Sequence, residues 1–225
     1  MNGLAVFDLD GTLVDTAPDL IDTCNVVLGR RGVPAIAGDI LRPHISMGAR
    51  AMIAAALHDA GITMSDPDLD SAYEDFLGHY AERIAELSRP FPELLAALDT
   101  LDAAGVGLAV CTNKREQMAK TLLGALELAP RFRFIAGIDT FSVSKPHPGH
   151  LTSTVEAAGG TIERTVFVGD SDVDYKTARA AGVPFVGLAY GYSNVPMAEL
   201  GPDRLMQREE DVGAAILGLM RAPAG

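Results

Sequence analysis

The sequence predicts an α/β fold, a parallel sheet covered by helices and interrupted by an all-helical insertion. Three observations predict it. From residue 88 onward, short apolar runs alternate with stretches of helical period, the pattern of strands joined by helical crossovers. Residues 15 to 86 contain no convincing strand. The residues best suited to chemistry fall directly after apolar runs, at the expected carboxyl ends of strands, where ligands of such sheets bind.

The first strand is Leu4-Ala5-Val6-Phe7, four apolar residues read as buried on both faces. Asp15-Thr16-Ala17-Pro18 then offers N-cap residues and a first-turn proline, with Leu20, Ile21, Cys24, Val27 and Leu28 at helical spacing. Arg31-Gly32-Val33-Pro34 stops that helix. A short turn of helix is expected from Asp39 to Pro43, and longer helices at 49–60 and 66–86. The remainder reads as helix at 93–104, strand at 107–112, helix at 115–126 and strand at 132–136. It continues as helix at 148–158, strand at 165–169, helix at 172–181, strand at 184–188 and a last helix from Glu209 to about Met220.

Composition narrows the function classes. Hydrophobic residues make up 48% and charged residues 21%, the balance of a globular protein with one substantial core. No apolar run approaches a membrane-spanning length, and Asp8 and Asp10 interrupt the N-terminal apolar segment, so a cytoplasmic protein is expected. A net charge of −12 argues against nucleic acid, whose phosphates reward a basic face. Cys24 and Cys111 are too few for a disulfide framework and read as buried apolar groups.

Asp8 and Asp10 sit two residues apart, so they reach the same space while Leu9 points away. Like charges that close need a cation or a proton to relieve them, which makes the pair a candidate metal and acid/base site. Asp10-Gly11 between apolar runs is also a hairpin signal. Thr112 and Asn113 follow the second strand of the sheet, Lys145 lies after the third, and Asp170 and Asp174 follow the fourth. Each has a plainer reading: N-caps for Thr112, Asn113, Asp170 or Ser171, and a solvated side chain for Lys145. A calcium loop beginning at Asp170 fails, because Tyr175 and Ala181 stand where glycine and glutamate are required. As a set, carboxylates with one lysine, one hydroxyl and one amide suit a divalent cation holding a phosphate.

Asp8-Leu9-Asp10-Gly11-Thr12-Leu13, Thr112-Asn113, Lys145-Pro146-His147-Pro148 and Gly169-Asp170-Ser171-Asp172-Val173-Asp174 resemble the four motifs of the haloacid dehalogenase-like hydrolases. The first and fourth are specific in combination, and the resemblance runs through Ala178, Ala181, Gly182 and Gly191-Tyr192. The opening Val14-Asp15-Thr16-Ala17-Pro18-Asp19-Leu20 is similar to the phosphoglycolate phosphatase-like branch with a helical cap. The resemblance implies a Rossmann-like parallel sheet core, residues 1–14 and 89–225, with an inserted all-helical cap domain, residues 15–88. It implies Asp8 as nucleophile forming an aspartyl-phosphate and Asp10 as general acid and base. Mg²⁺ is implied on Asp8, the main-chain carbonyl of Asp10, Asp170 and Asp174, with Thr112 and Lys145 on the phosphoryl oxygens and Asn113 beside them.

Specificity is expected from the insertion, where Gly48 permits close approach, Ser46 offers a hydroxyl and Arg50 is suited to a substrate carboxylate. Arg50 also reads as a solvated helix residue. Val14 to Pro18 and Ser88 to Pro92 are the expected hinges. The expected activity is phosphatase action on a small phosphorylated metabolite, 2-phosphoglycolate first, by a monomer or homodimer with no nucleic-acid or membrane partner. Ser46 to Met52 and Ser88 to Phe91 are also similar to phosphatases of N-acetylmuramic acid 6-phosphate. A phosphomutase and a non-catalytic binding protein complete the alternatives.

Overall fold

The computed structural model describes residues 3–221. In chain order the elements begin with β1 (Leu4–Phe7), β2 (Val14–Asp15), α1 (Ala17–Gly29), α2 (Gly38–Leu41), α3 (Ala49–Asp59) and α4 (Asp66–Glu82). A 3₁₀ stretch, Arg42–Met47, joins α2 to α3. Then come β3 (Arg89–Pro90), α5 (Pro92–Ala103), β4 (Gly107–Cys111), α6 (Glu116–Ala125), β5 (Phe134–Ala136) and α7 (Pro148–Ala157). The chain continues through β6 (Thr165–Gly169), α8 (Asp172–Ala181), β7 (Phe185–Leu188), α9 (Met197–Leu200), β8 (Arg204–Met206) and α10 (Val212–Arg221). The expected core boundaries reach residues 1, 2 and 222–225, which lie outside the described residues.

Six strands form one parallel sheet in the order β5-β4-β1-β6-β7-β8, so β1 is central and flanked by β4 and β6. Side-chain alternation along β1 divides the core between the two faces. Ala5 and Phe7 pack with Leu94 and Leu98 of α5 and with Val212 and Ile216 of α10. Leu4 and Val6 pack with Leu151 and Val155 of α7 and with Ala178 of α8. The first cluster runs on without a break into the helical insert, through Leu9, Leu20, Met52, Phe76 and Tyr80. Cys24 and Cys111 are buried free thiols, as expected. Among the described residues no helix is long and apolar enough to cross a membrane.

The structure departs from the sequence reading in four places. The two expected hinge segments pair as a short antiparallel ribbon of β2 and β3. The sheet has a sixth strand, β8, at its edge beside β7, preceded by the short helix α9, neither of them expected. Three residues that begin with an exposed arginine carry too little pattern to be read as a strand. The helix expected to 86 ends at Glu82. The last helix starts at Val212 instead of Glu209, because Glu209 takes a left-handed φ of 67° and Asp211 accepts the Ala214 N–H at 2.8 Å to cap the helix.

Candidate active site

At the carboxyl end of β1 the chain leaves the sheet with Asp8, and β6 ends beside it in Asp170 and the first turn of α8. Asp8, Asp170 and Asp174 are buried, and one carboxylate oxygen from each lies within 4.8 Å of the others. Lys145 joins them from the loop after β5: its Nζ donates to Asp174 Oδ1 at 2.6 Å and sits 2.9 Å from Asp8 Oδ1. The second contact is out of line for a hydrogen bond, so Asp8 Oδ1 is buried without a donor. Each partner carboxylate is held from behind. Asp170 accepts from Thr12 Oγ1 at 2.7 Å and from the Tyr192 N–H at 2.6 Å, and Asp174 accepts from the Ser171 N–H and hydroxyl.

Ser171 and Asp174 form a capping box, so one carboxylate serves both the start of α8 and the cluster. Gly11, at φ 83°, turns the chain here, and a Cβ there would lie 2.5 Å from Asp170 Oδ2. At Gly191 a Cβ would meet Asp170 Cβ at 2.1 Å. The two glycines thus let main chain close over a metal-type carboxylate.

Burial, and then the Asp174 charge, push the Asp8 carboxyl up to about 7 against the pull of Lys145. Asp170 is raised as well, by burial and then by Asp174 and Asp8. Burial alone would lower Lys145, but Asp174 and Asp8 outweigh it and hold the ammonium charged. Three carboxylates to one lysine leave the cluster short of positive charge. A donor-free buried oxygen among hard oxygen ligands fits a divalent cation, which would reverse the sign felt by Asp8.

A second lysine holds Asp10. Lys114 Nζ donates to both Asp10 oxygens, at 2.9 and 3.2 Å, and lies 4.5 Å from the ring centroid of Tyr80 in α4. Asp10 therefore turns its carboxylate toward the insert, away from the three-carboxylate cluster. Above this floor lies a cavity of about 170 Å³ between the sheet end and the insert. Its walls include Asp8, Thr112, Asn113 and Lys114 from the sheet side and Ser46 and Arg50 from the insert.

A profile of the haloacid dehalogenase-like hydrolase family matches residues 5–188. The chain belongs to that family. It is 43% identical over 203 residues to a phosphoglycolate phosphatase of Agrobacterium fabrum, covering 90% of this chain and 87% of that one. It is 38% identical over 221 residues to a phosphoglycolate phosphatase of Caulobacter vibrioides, covering 98% and 93%. A crystal structure of a predicted phosphoglycolate phosphatase from Haemophilus somnus superposes with a TM-score of 0.88 at 30% identity, covering 98% of each chain.

As in other haloacid dehalogenase-like hydrolases, the buried aspartates make a metal-type site. Thr112 is buried with its hydroxyl accepting the Lys114 N–H at 3.2 Å. Asn113 donates to the Lys145 carbonyl at 3.1 Å, tying the loop after β4 to the loop after β5, while its Oδ1 is buried without a partner. Neither residue caps α6, whose N-cap is Arg115. Ser46 is half-buried, and Arg50 is 52% exposed and bound to Asp70 at 2.5 Å.

Sequence reasoning missed Lys114 and His150, and noted Tyr192 only as part of the family resemblance, without a role. The Tyr192 hydroxyl donates to Asp15 Oδ1 at 2.5 Å and accepts the Ala17 N–H at 3.0 Å. It thus caps α1 in place of Asp15 or Thr16, whose side chains make no cap bond. His150 Nδ1 accepts the Lys145 N–H at 3.2 Å, and Nε2 meets the Gly137 carbonyl at 3.0 Å, which fixes the neutral Nε2–H tautomer. For Lys114 the available signal was its adjacency to Thr112-Asn113, and for Tyr192 its place in the Gly191-Tyr192 match.

Proposed function

We propose that the chain is a Mg²⁺-dependent phosphomonoesterase that converts 2-phosphoglycolate and water to glycolate and phosphate. The observation that carries this reading is Lys145 bridging Asp8 and Asp174 in one buried cluster at the end of the sheet. The activity named for the relatives supports the choice of substrate. In this reading Asp8 attacks phosphorus in line, and the bond from phosphorus to the glycolate oxygen breaks as an aspartyl-phosphate forms. Asp10 gives its proton to the leaving oxygen and later takes one from the water that opens the mixed anhydride.

Lys145 and Thr112 hold the phosphoryl oxygens, with Asn113 fixing the two loops that carry them. The ion would be held by Asp8, the main-chain carbonyl of Asp10 and Asp170, with Asp174 in support, and it would offset charge on the transferring group. Residues 15–88 act as a cap over a core of residues 1–14 and 89–225, hinged at β2 and β3. Closure of that cap brings Ser46 and Arg50 toward the substrate and excludes water.

The test is kcat/KM with Mg²⁺ for 2-phosphoglycolate against N-acetylmuramic acid 6-phosphate. The expected preference for phosphoglycolate is about 100-fold, or about 2.7 kcal/mol of transition-state discrimination. The reverse preference would overturn the substrate and keep the chemistry.

A further inference from the structure

We propose that Arg115 reads a carboxylate on the substrate, and so sets the preference for acid-bearing phosphomonoesters from the sheet side of the cleft. The inference rests on the phosphomonoesterase reading above. Three cationic side chains, Arg50, Lys114 and Arg115, border the cavity whose floor is Asp8. Lys114 is committed to both oxygens of Asp10, and Arg50 to Asp70. Arg115 borders the same cavity and has no acidic partner among the described residues.

What holds Arg115 in place is an aromatic ring. Its guanidinium lies 5.6 Å from the ring centroid of Tyr73, and that of Arg50 lies 4.7 Å from the same ring. Two guanidiniums on one ring with a single bonded carboxylate leave a local surplus of positive charge. The wall beside them is apolar, formed by Met47, Met118 and Ile138. A guanidinium fork also matches a carboxylate with two parallel hydrogen bonds.

The position in the chain argues the same way. Arg115 is the N-cap of α6, three residues after Thr112 at the end of β4. Its main chain is therefore placed by the sheet, while its guanidinium rests on Tyr73 of α4 across the cleft. A small substrate with phosphate at one end and carboxylate at the other is measured best by two groups on one rigid frame. The surplus charge also answers the oddity of a chain of net charge −12 binding a polyanion.

The experiment compares 2-phosphoglycolate with ethyl phosphate, in which a methyl replaces the carboxylate, in wild type, Arg115→Gln, Arg115→Lys and Arg50→Gln, all with Mg²⁺. The wild type should prefer 2-phosphoglycolate. Arg115→Gln should lower kcat/KM for it by about 30-fold while leaving ethyl phosphate within about threefold. Arg115→Lys should recover part of the loss, since it keeps the charge and loses the fork, and Arg50→Gln should lose less than Arg115→Gln. Equal losses on both substrates, or a preference that survives in Arg115→Gln, would overturn the proposal while the substrate reading stands. A wild type without preference would sink the phosphoglycolate reading. In a second arm, N-acetylmuramic acid 6-phosphate is set against N-acetylglucosamine 6-phosphate, which lacks the lactyl carboxylate. An Arg115-dependent preference confined to that pair would keep the role of Arg115 and move the substrate to the sugar acid.

Discussion

The sheet side and the insert side of the cleft face each other across one cavity but hold their polar groups in different ways. Asp8, Asp170, Asp174 and Lys145 are buried and cross-bonded, supplied from the ends of three strands, β1, β6 and β5. Ser46 and Arg50 sit in the half-buried and exposed rim of the insert, Arg50 tied only to another surface group. A buried, over-determined cluster tolerates little displacement, which suits bond-making at one phosphorus atom. A rim held by exposed pairs can move and be replaced without disturbing that chemistry. Chemistry and selectivity are thereby separable, and Arg115 is where the rigid side reaches into selectivity.

The sharpest way to break this contrast is to remove one group from each side. Asp8→Asn should lower kcat by about 10⁴-fold or more, because the group proposed to form the covalent intermediate is gone. The same variant should be more heat-stable than wild type in chelator at pH 8. Burial and Asp174 raise the Asp8 carboxyl from 3.8 to about 7, so in metal-free protein the stability it contributes at low pH is lost as pH rises through about 7. At pH 8 that loss is complete, and a neutral amide relieves it. Thermal denaturation with and without Mg²⁺ checks the claim, and an Asp8→Asn protein that is both inactive and less stable in chelator would contradict it.

The same difference explains what could be read from the chain. Asp8, Asp170 and Asp174 follow apolar strands closely, so chain order at the strand ends brings them together without knowledge of the fold. The strand period that put Asp10 in the same space did not foresee its turn to Lys114. Lys114 looks like any solvated lysine at a helix start, and only the fold puts Asp10 and Tyr80 around it. The bond from Tyr192 to Asp15 crosses 177 positions and leaves no local trace. The ribbon of β2 and β3 is two residues long on each side and includes Pro90, a residue that marks strands poorly. Short-range patterns thus reveal groups placed by their own strand, and miss groups placed by a partner distant in sequence.

A smaller effect tests how the sheet side keeps Lys145 in position. His150 is held neutral: burial, and then the Lys145 charge, push its imidazole down to about 4. The unfolded chain takes up this proton near pH 6.5 and the folded one only near 4. The stability His150 contributes is therefore present above about pH 6.5 and lost as pH falls from there toward 4. Urea midpoints at pH 7 and pH 5 should fall less in His150→Asn than in wild type. The variant should also be less stable at pH 7, since the Lys145 N–H and Gly137 carbonyl lose their ring partner. An unchanged pH slope would show that His150 takes up its proton alike in folded and unfolded chains.

The smallest effect belongs to the insert. Arg50 is half exposed and its bond to Asp70 is a surface pair, a class worth little to stability. In Arg50→Gln the melting temperature should not move, kcat should stay at the wild-type value, and KM for 2-phosphoglycolate should rise by about threefold or less. The guanidinium already has a carboxylate, so a substrate must compete with Asp70 for it. Asp70→Asn makes the complementary change by freeing Arg50, and KM should then fall. If Arg50→Gln instead raised KM by more than Arg115→Gln does, selectivity would lie on the movable side of the cleft, and the division between the two walls would have to be redrawn.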